Sequence, residues 1–183
     1  MLSLHLTLLL LKDESINMRI QFEDAIVDLS PHVCHTIYKY VQHGSLPESG
    51  GILLGKYLPS EKMYFITEAT TPSFGDKWGP AFFIRQKHSA QRIINKRWKD
   101  SNGQINYLGE WHTHGFDVPV PSETDKNLIR TIYNDRSNVW PNIIMIILGR
   151  KSCYIGISLG SSNGEIAEYK YIEGDDYALI FNR

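Results

Sequence analysis

The stretch that most constrains this fold is "NIIMIILGRKSCYIGISLG", residues 142–160. Two apolar runs of strand length are joined by Arg150, Lys151 and Ser152, a connection short enough to predict a hairpin. Neither run alternates cleanly between polar and apolar residues. That is the pattern of strands covered on both faces, so the hairpin is expected at the centre of a sheet. Helices must supply the cover. "SPHVCHTIYKYVQHG" predicts one: Ser30 caps it, Pro31 suits the first helical position and Gly44 closes the end. Val33, Ile37 and Val41 recur along it as one buried stripe. "HSAQRIINKRWKD" predicts a second helix with a basic face. A third should start at Ser122 and bury Leu128, Ile129, Ile132 and Tyr133.

The remaining strands are expected at "MRIQF", "GGILLGKYL", its neighbour "KMYFITEA", "INYLGEWHTH" and the closing "EIAEYKYIEG". The Gly- and Pro-rich "TTPSFGDKWGPA" (70–81) reads as a loop. Strands and helices mix without regular βαβ alternation. The fold class is therefore α/β, a single domain with a mixed sheet flanked by helices. Residues 18–183 are assigned to that domain and 1–17 to an N-terminal extension or upstream start. The apolar run from Leu6 to Leu11 is too short to span a bilayer. It also lacks the basic region and small-residue cleavage site of a secretory signal.

Charge and cysteine content narrow the function classes. A net charge of -1 gives no electrostatic case for nucleic acid. Cys34 and Cys153 have no Cys-x-x-Cys spacing, which argues against a disulfide framework and against a cysteine-rich zinc site. A reducing, cytoplasmic setting without membrane attachment is the expectation.

"WHTHGFDVPVPSETD", residues 111–125, carries the chemistry. On an extended strand residues i and i+2 share a face, so His112 and His114 project together while Thr113 points away. Their Cα atoms would lie roughly 6.5–7 Å apart, within reach of one ion. Asp125, on the first turn of the following helix, can add an oxygen ligand and leave a fourth tetrahedral position open, as catalytic zinc sites do. Each half has an ordinary explanation. A lone His-x-His is more often structural, and Ser-x-x-Asp at a helix start is a capping box. The joint spacing makes the case.

That spacing, His112-Thr113-His114, seven residues, then Ser122-x-x-Asp125, resembles the motif of the JAMM (MPN+) zinc isopeptidases. "ESGGILLG" and "GEWHTH" are most similar to the prokaryotic JAB branch, especially the isopeptidases of CBASS antiviral operons. The resemblance implies a single MPN-like (JAB) domain with a curved mixed sheet. It also implies one catalytic Zn2+ held by His112, His114 and Asp125, and hydrolysis of the amide between a target lysine and a ubiquitin-like or nucleotidyltransferase (cyclase) C-terminal tail. An operon-encoded E1/E2-type ligase would be the opposing partner. Glu48, just before the first core strand, would be the general base, and Ser122 would donate to the oxyanion. Glu68 and Glu110 compete with Glu48 by sequence, and Glu110 shares strand parity with His112. Two other readings keep the motif: a peptidase acting on sulfur-carrier adducts in cysteine biosynthesis, and a non-catalytic MPN scaffold.

Other residues have plainer expectations. Trp111 should be core; His32, His35 and His43 should be surface or cap residues. Arg92, Lys96, Arg97 and Lys99 form a solvated face or a dock for an acidic partner. Phe74 and Trp78 are candidates to line a groove for an extended tail.

Overall fold

The hairpin predicted from the two apolar runs is present as β8 (Ile143–Leu148) and β9 (Ser152–Ser158), and every residue of both strands is buried. The structure is a computed structural model that describes residues 17–44, 46–135 and 142–181. Apart from Asn17, the expected extension over 1–17 lies outside the described residues.

The other strands are β1 (Met18–Gln21), β2 (Ile26–Leu29), β3 (Gly50–Leu58), β4 (Met63–Ala69), β5 (Lys77–Gly79), β6 (Phe82–Ile84), β7 (Asn106–Thr113) and β10 (Ile166–Glu173). The helices are α1 (Pro31–Tyr38), α2 (Lys87–Asp100), α3 (Glu123–Asn134) and α4 (Gly174–Phe181). Eight strands form one sheet in the order β1-β2-β4-β3-β7-β8-β9-β10, with β2–β4 and β7–β8 parallel and the other pairs antiparallel. The sheet curls until its edges approach each other: the Glu23 N–H, beside β1, donates to the Glu168 carboxylate on β10 at 2.9 Å.

Two layers of helix cover the sheet. The inner face, with Leu53, Leu108, Trp111, Ile146 and Ile155, packs against Val33, Cys34 and Ile37 of α1 and Tyr177 of α4. On the outer face Ala90, Ile93 and Ile94 of α2 lie against Ile52 and Leu54, while Ile129 of α3 sits among Ile143, Met145 and Ile147. This cover explains why β8 and β9 read as continuous apolar runs without being central. The middle of the sheet is β3 and β7, and the hairpin lies to one side of it. Burial on two faces reports helices above and below, not a central position.

Four further local expectations need correcting. Helix α1 is capped by Ser30, whose Oγ accepts from the Val33 N–H, but it stops at Tyr38, well before Gly44. The chain turns there through Tyr40 N–H to Ile37 O and Val41 N–H to Tyr38 O, which still delivers Val41 to the core. In α3 only Ile129 is fully buried; Leu128 is exposed, because a helix lying on a sheet presents one narrow stripe to it. Segment 70–81 is not all loop: Lys77–Gly79 pairs with Phe82–Ile84 in a small hairpin that turns at Pro80 and Ala81. Finally, β2 and α4 were not anticipated from their short, mixed sequences.

One irregularity sets which side chains face outward on β7. The register against β3 runs Leu53↔Gly109 and then Leu54↔Tyr107, leaving Leu108 as the extra residue of a bulge. Leu108 and Trp111 therefore share the inner core, and Tyr107, Glu110 and His112 share the outer face. Gly109 sits in this bulge against β8, where a Cβ would lie 1.9 Å from the Ile144 carbonyl oxygen. Gly109→Ala should cost about 1–3 kcal/mol by overpacking, read as a lower denaturation midpoint with an unchanged m-value.

A candidate metal centre at the end of β7

His112 is the penultimate residue of β7, paired with Gly50 of β3 on one side and Ile147 of β8 on the other. Its ring therefore has little freedom of position. His114 follows the strand, and its N–H donates to the Leu148 carbonyl at 2.9 Å, so strand geometry persists past the formal end. Thr113 points the opposite way and is fully buried. Its Oγ1 accepts from the Ser49 N–H at 3.0 Å, and its own N–H donates to the Ser49 carbonyl at 2.9 Å.

Asp125 reaches the pair from α3. Ser122 is the N-cap and Asp125 is the third helical residue of a complete capping box. The Ser122 N–H and Oγ each donate to Asp125 Oδ2 at 2.7 Å, while the Asp125 N–H donates back to Ser122 Oγ at 3.2 Å. The capping reading of Ser-x-x-Asp and the metal reading thus apply to the same residues. Holding Oδ2 by Ser122 leaves Oδ1 3.3 Å from His112 Nε2.

The donor set fits a single small cation. His112 Nε2 and His114 Nε2 are 3.1 Å apart, and His114 Nε2 is 3.6 Å from Asp125 Oδ2. One ligand atom from each of the three residues lies within 4.8 Å of the others. A tetrahedral ion bound at about 2.0–2.1 Å has ligand–ligand edges of roughly 3.3–3.4 Å, close to the separations of His112 Nε2 from His114 Nε2 and from Asp125 Oδ1. Burial alone would raise the Asp125 carboxyl. Its hydrogen bonds to His112, His114 and Ser122 outweigh that and hold it far below the usual carboxylate range, ready to act as an anionic ligand.

Glu48 completes the surroundings. It is half-buried two residues before β3, and its N–H donates to the Gly79 carbonyl of the β5–β6 hairpin at 2.9 Å. Burial pushes its carboxyl pKa up, His114 and His112 oppose this, and the Asp125 charge adds to it. All three candidate ligands are therefore near enough to act on Glu48 electrostatically. Its sequence competitors are committed elsewhere. Glu110 lies on the outer face as parity predicts, but Arg85 grips it with Nη2 at 2.7 Å and Nε at 3.2 Å, and the Tyr107 hydroxyl donates at 2.9 Å. Glu68 is paired with Arg97 of α2.

The surrounding expectations sort themselves. Trp111 is 1% exposed and its Nε1 donates to the Thr70 carbonyl; His32, His35 and His43 are on the surface. The basic face of α2 is partly neutralised, Arg97 by Glu68 and Lys96 by Asp100. Phe74 and Trp78 are exposed. Two groups near the site escaped sequence reasoning: Arg85, and Gln42, which donates to the Leu46 and Pro80 carbonyls at 2.5 and 3.0 Å. Their partners come from distant segments, and no local spacing marks them.

Because Ser122 both starts α3 and fixes Asp125, Ser122→Ala should cost about 0.5–2 kcal/mol of stability. Denaturant titration of metal-free protein checks this. An unchanged midpoint would mean that the cap contributes nothing.

Comparison with known proteins places the chain in a family. Residues 30–156 match the family model described as "Prokaryotic homologs of the JAB domain". A protein named CD-NTase/cGAS isopeptidase from Pseudomonas aeruginosa is 32% identical over 142 residues, 77% of this chain and 88% of that protein. One of the same name from Vibrio cholerae is 33% identical over 150 residues, 81% of this chain and 86% of that protein. A third, from Escherichia coli, is 33% identical over 136 residues, 74% of this chain and 83% of that protein. The matched region contains Glu48, both histidines, Ser122 and Asp125, and the chain belongs to the family of prokaryotic homologs of the JAB domain.

Proposed function

We propose that this protein is a zinc-dependent isopeptidase that hydrolyses the amide between a CD-NTase/cGAS-type C-terminal tail and a target lysine, reversing conjugation in a CBASS antiviral system. The substrate class follows the names of the relatives. The chemistry rests on one observation: the Glu48 carboxyl feels the charges of His112, His114 and Asp125, while its competitors Glu68 and Glu110 are each paired with an arginine.

In this reading His112, His114 and Asp125 hold the metal. Bound zinc supplies Lewis acidity, which acidifies water and polarises the scissile carbonyl. Glu48, with its proton affinity raised by burial, takes a proton from the attacking water and delivers it to the departing lysine amine. Ser122 Oγ–H, which rests on Asp125 Oδ2, turns to donate to the carbonyl oxygen as negative charge develops there. A sulfur-carrier substrate would use the same groups, but the relatives' names favour the first reading. The intact ligand set disfavours a non-catalytic scaffold. We assign the catalytic unit to residues 18–183 and a cytoplasmic setting. A chain beginning at Met18 should cleave as fast as the full one, and loss of solubility would show that residues 1–17 pack into the domain.

The decisive experiment pairs zinc content with cleavage of a purified lysine-linked conjugate. Wild-type protein should hold about one zinc per chain, and Asp125→Ala should lose metal and activity together. Glu48→Gln should keep zinc and bind conjugate while cleavage falls about 10²–10⁴-fold, the usual worth of a positioned general base. Near wild-type turnover in Glu48→Gln would remove Glu48 from the mechanism. Failure of reconstituted wild-type protein to bind zinc would remove the whole reading.

A further inference from the structure

The β5–β6 hairpin is fixed around Glu48 at several points, and only one of them involves Glu48 itself. The Gly79 carbonyl accepts from the Glu48 N–H at 2.9 Å. At the tip, the Pro80 carbonyl accepts from Gln42 Nε2 at 3.0 Å, and the same nitrogen holds the Leu46 carbonyl on the segment leading to Glu48. The Phe83 ring occupies the place a side chain at Gly50 would take: a Cβ there would lie 2.7 Å from Phe83 Cδ1. Gly50 is the residue paired with His112, so this ring packs beside the strand end that carries the histidines. The hairpin's neck is closed by Asp76, which accepts from the Gln86 N–H at 2.8 Å and from the Ser73 N–H at 2.6 Å.

Arg85 connects this assembly to the sheet. It directly follows β6 and forks onto Glu110, two residues before His112 and on the same face. Glu110 is 5% exposed, and it also accepts from the hydroxyl of the partly buried Tyr107. A nearly buried carboxylate has to be paired, and the planar guanidinium pairs in one orientation, so the contact sets direction as well as distance. The pair ties the end of the hairpin to the strand of the candidate ligands, while the Gly79 carbonyl ties its first strand to the candidate base.

We propose that Arg85 is a positioning residue: through its bidentate pairing with Glu110 it fixes the β5–β6 hairpin, and the Gly79 carbonyl of that hairpin holds Glu48 in register with the His112–His114–Asp125 cluster. This rests on Glu48 being the base. The hydrogen bonds of the Arg85 side chain go to Glu110 and not to the candidate ligands or Glu48, so its loss should leave metal content unchanged and lower the chemical step by letting the base wander. A base displaced by a fraction of an ångström to an ångström costs up to about 10²-fold in rate.

The test uses full-length, zinc-loaded protein and four readouts: zinc per chain, amide hydrogen exchange of the peptide containing Glu48, kcat and KM. Arg85→Ala should keep its zinc, speed exchange at Glu48 by about tenfold or more, and lower kcat by about 10–100-fold with a smaller change in KM. Arg85→Lys keeps the charge without the fork and should recover part of the loss. Glu110→Gln preserves volume, serves as the second variant should Arg85→Ala fail to fold, and should reproduce both the faster exchange and the lower kcat. In a Glu48→Gln background, Arg85→Ala should lower kcat little further, because both changes disable one group. Additive effects, or wild-type exchange at Glu48 in Arg85→Ala and Glu110→Gln, would overturn the proposal and leave the base assignment standing. A Glu48→Gln enzyme with wild-type turnover would instead overturn the base assignment, and the proposal with it.

Discussion

Thr113 carries the constraint on which the site depends. Strand alternation turns it away from the two histidines, into the protein, where it meets Ser49 through both its backbone and its hydroxyl. Those two hydrogen bonds extend the β3–β7 ladder one residue beyond β3, to the residue next to Glu48. The candidate base and the candidate ligands come from segments more than sixty residues apart, and this contact sets their relative register. A slip of one residue in β7 would turn both imidazoles into the inner core, where Trp111 and Leu108 now sit.

A cluster this polar is costly to bury unless each group has a partner. Asp125 meets that requirement through helix chemistry. The capping box that starts α3 satisfies one carboxylate oxygen with two donors from Ser122 and orients the other toward His112. Its position in the first turn also places negative charge at the favourable end of the helix dipole. The stability of the helix start and the geometry of the ligand set are therefore one arrangement.

The segment between His114 and Ser122 is held by the apolar hairpin beneath it. In the β8–β9 turn the Arg150 and Lys151 N–H groups donate to the Phe116 and Asp117 carbonyls at 2.9 and 3.1 Å, and both side chains pair with the Asp117 carboxylate. The Tyr171 hydroxyl on β10 holds the Pro119 carbonyl at 3.0 Å. The stretch that first constrained the fold thus supports the loop that separates the two halves of the motif. These exposed ion pairs add little energy individually, and the backbone bonds set the loop's path.

The sequence by itself determined which residues are the candidate ligands and the local geometry of each half of the motif. His112 and His114 share a face because strands alternate, and Ser122 and Asp125 form one capping box because a helix starts there; both are properties of a few consecutive residues. It also determined that β8 and β9 would be covered on both sides, since their side chains carry that information. Only the tertiary structure decided where that hairpin lies in the sheet, because burial of a strand does not record which strands are its neighbours. It likewise gave the three glutamates different partners. Their arginine partners are not marked in the sequence: Arg97 reaches Glu68 and Arg85 reaches Glu110 from elements folded over β3 and β7. Charge pairing between distant segments depends on topology, and a local spacing carries no record of it.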